Sequence, residues 1–302
     1  MRDGLILVNK AAGNTSHDVV RDARRALGQR KIGHCGTLDP AATGLLVLTL
    51  GKATRLTRFL ISAPKVYAGS IRLGITTDTY DASGQVIEER SAEHVTEDQI
   101  RAAMQETIGT FEQAAPPYSA KKVGGVKYYE LARRGEEVPE SLKKITVFDF
   151  EATGKITHET IPFQLSCSSG TYVRTLAFDL GNTLGCGAHL ASLERLRVGP
   201  FRLEDAIDQQ TLVESPEPAN LVDASVPFDE IPLPFATVIA DAQQERRIVH
   251  GQTVLVRDLQ GEEGDWVKLT NHSRELIAVG SIRERIGQAG VGVIQPRIVF
   301  RN

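Results

Sequence analysis

The chain has 302 residues, 41% of them hydrophobic, which is enough for one large domain, or for a large and a small domain, each with its own core. Its apolar stretches are too short to span a bilayer, residues 1–10 lack a signal peptide's apolar core, and the three widely spaced cysteines suit neither a zinc site nor a disulfide framework. The net charge of −3 excludes a uniformly basic, nucleic-acid-binding surface. We therefore expect a cytoplasmic protein with reduced cysteines and no membrane association.

The first 213 residues predict strands and helices without a regular alternation. In chain order, hydrophobic patterns and turn residues predict a strand over 4–8, a helix capped by Ser16 and ended by Gly28, strands over 45–50 and 66–75, a turn over 78–84, a helix capped by Thr96 with Gln99 and ended by Gly109, a helix over 127–134, strands over 145–150 and 163–168, and a helix over 172–184. This order favours an α+β fold over a doubly wound parallel sheet.

The last third of the chain changes character twice. Residues 214–236 are rich in proline and acidic side chains and predict a linker. Residues 237–302 contain short apolar runs between glycine-rich turns, at 253–256, 266–269, 276–282 and 297–300. We therefore expect a first domain over 1–213, the linker, and a small β-rich domain over 237–302.

Charge is distributed unevenly along the chain. Residues 1–75 hold twelve basic and four acidic side chains, a net charge of +8, whereas residues 201–241 hold one basic and nine acidic side chains, a net charge of −8. A basic segment can face a polyanion, and an acidic segment tends to remain solvated. Without further motifs, helices that simply carry solvated charges explain the pattern equally well.

One carboxylate stands among residues suited to binding a ligand. Asp39 lies in the segment Gly36–Pro40, with Lys31 and His34 shortly before it. Basic side chains hold phosphates, and glycines let a ligand approach the backbone closely. An isolated Asp before Pro is usually a helix N-cap, so Asp39 taken alone favours the capping role over a catalytic one.

Further short blocks accompany this segment in a fixed order. They are Asn9-Lys10, Thr15–Val20, Lys31–Leu46, Lys65-Val66-Tyr67, Arg72–Gly74, Thr77–Asp81, Tyr118–Lys121, Tyr129–Gly135, Ser169–Thr175 and Leu184–Leu190. In order and spacing, from about residue 4 to 200, these blocks resemble the bacterial TruB family of tRNA pseudouridine synthases. The chain departs from the family pattern where Pro116-Pro117 directly precedes Tyr118, since the family more often leaves one residue between them.

The resemblance implies a pseudouridine synthase fold with a mixed, largely antiparallel sheet, a T-loop-binding insertion around 118–135 and a PUA-like RNA-binding module over 237–302. It implies isomerisation of uridine 55 in the T-loop of tRNA on a flipped-out base. By resemblance, Asp39 is the nucleophile, Arg174 is the cation that keeps it ionised, and Tyr67 stacks on uracil and can act as a base. Because the reaction involves no redox change, and no dinucleotide or Walker motif is present, we expect neither a metal nor an organic cofactor.

The resemblance also suggests substrate-binding residues. It implies that Tyr172 belongs to the active-site block of Arg174, that Leu193 packs against the target base, and that His34 occupies space vacated by flipped nucleotides. The predicted phosphate contacts, chosen partly on charge, are Lys10, Arg30, Lys31, Lys65 and Lys121. The expected partner is the T-arm of tRNA, and we expect a monomer without an obligate protein partner.

Three other functions use some of the same features. A non-catalytic RNA-binding or RNA-folding protein would share the basic front, but the set Asp39, Tyr67 and Arg174 disfavours it as the sole function. A guide-dependent pseudouridine synthase of the archaeal and eukaryotic type would share the catalytic blocks. The lack of long Lys-rich tails and the insertion around 118–135 favour the stand-alone enzyme. A hydrolytic nucleosidase would also use a carboxylate, but it would release uracil.

Overall fold

The computed structural model describes residues 3–116, 118, 122–123, 126–127, 141–214, 221, 223–286 and 290–301. Within these ranges the helices α1 to α6 cover Ser16–Ala26, Thr57–Leu60, Glu97–Glu106, Val173–Thr183, Gln209–Glu214 and Ala242–Val249. The strands β1 to β20 cover Gly4–Lys10, Ile32–His34, Thr43–Leu50, Lys65–Leu73, Ile75–Thr77, Val86–Glu89, Gly109–Ala114, Lys122–Val123, Val126–Lys127, Leu142–Ala152, Thr160–Cys167, Ala188–Val198, Phe201–Arg202, Ile207–Asp208, Ser225–Pro227, Ala236–Ile239, Val254–Val256, Trp266–Thr270, Leu276–Ile286 and Val291–Val299. No described helix is long and apolar enough to cross a membrane.

Eleven of the described strands form one mixed sheet. Its main order is β14-β1-β3-β12-β4-β11-β10-β7, and β2, β13 and β15 pair with β3, β12 and β1. The β1–β14 and β3–β12 pairs are parallel, and the other pairs in this sheet are antiparallel. The predicted α+β class and the largely antiparallel sheet are therefore confirmed.

The N-cap of helix α1 lies one residue earlier than the sequence predicted. Thr15 is the N-cap, because its side chain accepts a hydrogen bond from the amide of Asp18 and its own amide donates to the Asp18 carboxylate at 2.9 Å. Ser16 is buried instead, and its Oγ accepts the amide hydrogen of Leu38 at 2.9 Å. The prediction of Ser16 as the cap was wrong, and Ser16 ties α1 to the segment that carries Asp39.

Strand β12 lies at the centre of the sheet between β3 and β4, and the sequence did not predict it. Its pattern is not a simple alternation, because it buries His189 and Arg195 and shifts register twice against β4. The predicted strand over 66–75 is interrupted at Gly74, which adopts a φ of 82° that favours glycine. The chain then enters β5, which pairs with β6 in a separate sheet.

Part of the predicted linker over 214–236 belongs to the first sheet. Strand β15 pairs antiparallel with β1, and Leu221, Ala224 and Ile231 are buried. Apolar residues between the prolines anchor these described positions, so they are packed against the sheet rather than solvated. The domain boundaries at 213 and 237 remain predictions.

The C-terminal residues form a second, five-stranded sheet in the order β16-β18-β19-β20-β17. The predicted β-rich character is confirmed, but helix α6, which Asp241 caps, was not predicted. This module packs on the first sheet, where Leu45 shares a hydrophobic cluster with Val279, and on α2 and the turn before it. The rings of Phe59 and Trp266 lie 4.9 Å apart, and Arg55 Nη1 donates to the Val299 carbonyl at 2.6 Å.

The insertion predicted around 118–135 is described only in part. Strands β8 and β9 pair antiparallel within it. The helix predicted over 127–134 and the predicted phosphate contact Lys121 lie outside the described residues.

Candidate active site

A cavity of about 470 Å³ lies between the segment 36–39, strands β4 and β12, and the beginning of α4. Six of the predicted site residues line it: Asp39, Lys65, Tyr67, Tyr172, Arg174 and Leu193. These residues come from segments far apart in the sequence, which the pairing of β12 with β3 and β4 and the packing of α4 against β12 bring together. The volume is within the range of about 300–1,000 Å³ that is typical of small-molecule sites.

Asp39 and Arg174 face each other across this cavity. Arg174 Nε lies 3.4 Å from Asp39 Oδ2, and Arg174 Nη1 lies 3.7 Å from Asp81 Oδ2. The Arg174 side chain is 7% exposed, whereas the Asp39 side chain is 46% exposed. Because Arg174 Nε makes no well-aligned hydrogen bond, its contact with Asp39 is mainly electrostatic. The Asp39 carboxylate is therefore held beside a buried cation while remaining accessible to a ligand.

Asp39 does not cap a helix. Residues 40–42, all of which the structure describes, form a turn in which the amide of Ala42 donates to the Asp39 carbonyl at 3.1 Å. The capping role that an isolated Asp-Pro favours is therefore wrong for this position. Nothing in the local backbone requires this carboxylate, which leaves its side chain free for chemistry.

Lys10 is buried behind the turn that follows Asp39. Its Nζ donates to the carbonyls of Asn14 at 2.7 Å, Ala11 at 3.0 Å and Pro40 at 3.3 Å. Burial lowers the pKa of Lys10 to about 8, although the nearby Asp39 carboxylate opposes this shift. All three donors of the ammonium are occupied by the backbone, which contradicts the predicted phosphate contact; Lys10 holds the turn instead.

The other predicted phosphate contacts differ in their exposure. Lys65 is buried in the cavity wall, where its Nζ donates to the carbonyls of Ala63 at 2.7 Å and Ile61 at 2.9 Å, which contradicts the prediction. Burial lowers the pKa of Lys65 to about 8, and the charge of Arg195 adds to the effect. Arg30 and Lys31 are exposed and lie outside the cavity lining, and their role as phosphate contacts stays a prediction.

Tyr67 lies on β4, directly opposite Arg195 in the ladder with β12. Burial raises the pKa of Tyr67, and the positive charge of Arg195 opposes that rise. The phenol is therefore neutral at ordinary pH. A neutral, buried ring suits stacking against a base and is poorly prepared to act as a phenolate.

Tyr172 and Leu193 complete the predicted cavity lining. Gln113 on β7 fixes the backbone of Tyr172, since its Oε1 accepts the Tyr172 amide hydrogen at 2.8 Å and its Nε2 donates to the Tyr172 carbonyl at 3.0 Å. Leu193 stands opposite Gly69, where a Cβ would lie 2.2 Å from the Ser192 carbonyl oxygen. Only glycine permits this close approach of the two strands.

His34 lies at the end of β2 and outside the cavity lining. Its ring meets that of His17 edge to face, with the centroids 6.0 Å apart. Burial, and then the proximity of His17, lowers the pKa of His34, so its ring is neutral at pH 7. The predicted position of His34 beside flipped nucleotides stays a prediction.

Comparison with known families agrees with this geometry. The model of the TruB family pseudouridylate synthase N-terminal domain matches residues 24–173, and that of the tRNA pseudouridylate synthase B C-terminal domain matches residues 174–230. The chain belongs to the TruB family.

Individual relatives match most of the chain. A tRNA pseudouridine synthase B of Thermobifida fusca is 42% identical over 267 residues, covering 84% of this chain and 87% of the relative. One of Opitutus terrae is 47% identical over 216 residues, covering 72% of this chain and 89% of the relative. A chain from the structure of an H/ACA RNP bound to a substrate RNA containing 2′-deoxyuridine superposes with a TM-score of 0.76 at 26% identity, covering 99% of this chain and 85% of that one. The fold is the pseudouridine synthase fold.

Three residues at this TruB family site were missed from the sequence. Asp81 was interpreted as a structural turn residue, but it also faces Arg174, and the block Thr77–Asp81 was the available signal. Lys143 and Arg195 line the cavity, and Lys143 Nζ donates to a loop carbonyl at 3.2 Å. Neither gave a signal, because a basic residue in a strand usually lies on the solvated face.

Proposed function

We propose that this protein isomerises uridine 55 in the T-loop of tRNA to pseudouridine, with Asp39 as the nucleophile. The observation that carries the proposal is the position of Asp39, which is accessible, faces the buried cation Arg174 at 3.4 Å, and shares a cavity with Tyr67. The relatives from Thermobifida fusca and Opitutus terrae are named tRNA pseudouridine synthases B, which supports the same reaction and substrate class.

The reaction requires a carboxylate and a closed site. The bond from ribose C1′ to uracil N1 breaks with its electron pair passing to uracil, the base rotates, and C5 of uracil joins C1′. The Asp39 carboxylate either adds to C1′ as N1 leaves and is displaced when C5 attacks C1′, or removes the 2′ proton to give a glycal and returns that proton to C2′ as C5 joins C1′. The proton on C5 is lost when the new carbon–carbon bond forms, and a proton returns to N1.

The cavity residues divide these tasks. Arg174 stabilises the charged form of Asp39, because an opposite charge at this distance favours ionisation. The neutral ring of Tyr67 provides a stacking platform, and Leu193 supports the base from β12. Extrusion of a stacked uridine costs a few kcal/mol, which phosphate contacts and stacking offset.

We propose a stand-alone enzyme that works on tRNA in the cytoplasm without a guide RNA. The solved H/ACA structures share the fold but are 25–26% identical to this chain, whereas the relatives named tRNA pseudouridine synthase B are 37–47% identical. Higher identity to the second group favours the unguided reaction. Activity on an isolated T-arm RNA, without guide RNA or partner proteins, tests this part of the proposal directly.

The decisive experiment measures tritium release from uridine labelled at C5 in unmodified T-arm RNA. Wild type should release the label and convert the target uridine to pseudouridine in EDTA. Asp39→Asn should bind the RNA but release no tritium, because an amide is not a nucleophile of comparable strength. Asp98→Asn, on the exposed first turn of α3, is the matched control and should behave as wild type.

The products separate the alternatives. Free uracil instead of pseudouridine would identify a nucleosidase. RNA binding without tritium release by wild type, on T-arm RNA and on whole tRNA, would favour an RNA-binding or RNA-folding protein. Full activity of Asp39→Asn would remove Asp39 from the mechanism.

A further inference from the structure

We infer that Arg195 is a positioning residue: its guanidinium binds backbone carbonyls of the segment 36–39 and thereby sets the position of Asp39 relative to Arg174. The inference rests on the proposed function. Arg195 is completely buried, and its guanidinium donates to three backbone carbonyls: Nε to Leu45 at 2.7 Å, Nη2 to Gly36 at 3.1 Å and Nη1 to Thr37 at 3.3 Å.

The charge of Arg195 is not neutralised by an ion pair. Among the described residues, no carboxylate lies within ion-pairing distance of its guanidinium, and its contacts are three neutral carbonyls and the neutral hydroxyl of Tyr67. Burying a charged group without a counter-ion is unfavourable for folding. The three carbonyl acceptors offset part of this cost, and two of them lie in the segment 36–39, so the guanidinium fixes the backbone of that segment.

The backbone of Arg195 is itself fixed against the strand that follows the catalytic segment. Arg195 pairs with Gly44 of β3 in a short parallel ladder, and a Cβ on Gly44 would lie 2.5 Å from the Arg195 carbonyl oxygen. On its other side, Arg195 stands opposite Tyr67 of β4. One residue therefore connects the stacking platform, β3 and the two carbonyls that precede Asp39 by two and three positions.

This connection matters because Asp39 and Arg174 belong to different elements. Asp39 lies in the segment after β2, and Arg174 lies on α4, so their 3.4 Å separation depends on where the segment is held. Loss of the guanidinium would leave the carbonyls of Gly36 and Thr37 without their donor. A misplacement of about 1 Å in a catalytic group can lower a rate about 100-fold.

The test compares Arg195→Met and Arg195→Lys with Arg197→Met. Arg197 lies two residues along β12, but its side chain is exposed and, among the residues described, makes only a long hydrogen bond to the Gly199 carbonyl, so it is the matched control. Each variant is mixed in excess with C5-tritiated T-arm RNA at saturating concentration, and the single-turnover rate constant is measured together with RNA affinity and the circular dichroism spectrum.

Arg195→Met should lower the rate constant about 100-fold with nearly unchanged RNA affinity. Arg195→Lys, which keeps the charge but cannot reach all three carbonyls, should lie between Met and wild type. A misfolded fraction would reduce the active-enzyme concentration and not the saturated rate constant, so the rate constant separates positioning from folding.

Other results would overturn the inference. A wild-type rate constant in Arg195→Met would show that the guanidinium does not position Asp39. Failure of both Arg195 variants to fold and bind RNA would make Arg195 a folding residue only. If wild type itself forms no pseudouridine, the proposed function fails, and that failure is visible before any Arg195 variant is measured.

Discussion

Several basic side chains of this protein lie buried in its interior, and their sequence context does not indicate this burial. Lys10, Lys65, Arg174 and Arg195 are all buried, and within the described part of the chain the two lysines bond only to backbone carbonyls. A buried ammonium loses hydration, and the carbonyl dipoles compensate only in part. The lowered pKa values of both lysines are the direct expression of this cost, and they have a measurable consequence for stability.

Lys65 should make the stability of the protein depend on pH. The pKa of Lys65 falls from 10.5 to about 8 on folding, so between these values the unfolded chain holds a proton that the folded chain lacks. Stability contributed by this group therefore rises as pH increases from 8 towards 10.5, and below pH 8 the folded state bears the full cost of the buried charge.

Urea unfolding of wild type and Lys65→Met at pH 7 to 10 measures this effect. The difference in unfolding free energy, wild type minus variant, should be constant below pH 8 and grow by up to about 1.4 kcal/mol per pH unit above it. Lys155→Met, at an exposed lysine, is the matched control for the substitution itself. A pH-independent difference for Lys65→Met would mean that its pKa is not lowered by folding.

At the scale of elements, the sequence predicted the helices and strands that local interactions determine. The capping box of Thr96 with Gln99 begins α3 as expected, and the strands around 4–8 and 45–50 appear as predicted with longer bounds. Strand β12 was missed because its identity depends on partners far away in sequence. A strand that buries Arg195 has no hydrophobic alternation to reveal it.

The candidate site was likewise predictable from the sequence only in part. The block resemblance predicted that Asp39, Tyr67 and Arg174 belong together, and the cavity joins them. The roles of Lys10 and Lys65 could not be predicted from charge, because whether a lysine reaches solvent is decided by the elements packed over it. Whether Lys10 and Lys65 bind substrate or support the structure depends on tertiary contacts, which produce no periodic pattern in the sequence.

Gly44 tests how tightly β3 and β12 must approach. Gly44→Ala places a Cβ 2.5 Å from the Arg195 carbonyl oxygen at a φ of 97°, so it combines backbone strain with overpacking. We expect a loss of about 3 kcal/mol in unfolding free energy, measured by urea denaturation.

Gly13→Ala separates the two contributions to that loss. Gly13 has a similar φ of 85°, but a Cβ there would meet nothing within 4 Å. This variant should lose only the cost of strain, about 1–2 kcal/mol. Equal losses at both positions would show that the two strands have room to separate.

At the scale of the whole molecule, the C-terminal module is continuous with the catalytic part. Residues of both parts share one hydrophobic cluster, in which Leu5 and Phe59 pack with Val279 and Phe300. The amide of Leu276 also donates to a carboxylate oxygen of Asp229 at 2.6 Å. Because this interface has a buried apolar centre and is crossed by hydrogen bonds, it should hold the module in one orientation.

This interface contains an intrinsic fluorescent reporter, because Trp266 is the single tryptophan of the chain. Trp266 contacts Phe59 at 4.9 Å between ring centroids and lies under Arg58, whose guanidinium carbon is 5.0 Å from the indole. If the two parts unfold as one cooperative unit, tryptophan fluorescence and far-ultraviolet circular dichroism should give coincident urea transitions for wild type.

Phe59→Ala then tests whether the interface transmits stability. Phe59 is buried, so its truncation should lower the unfolding free energy by about 3–5 kcal/mol and shift both transitions together. Phe148→Ala is the matched control, because Phe148 is 51% exposed on β10, and its loss should change stability by no more than about 0.5 kcal/mol. A fluorescence transition that stays in place while the circular dichroism transition moves would show that the module unfolds independently. Its contacts with the first sheet would then orient the module without stabilising the catalytic part.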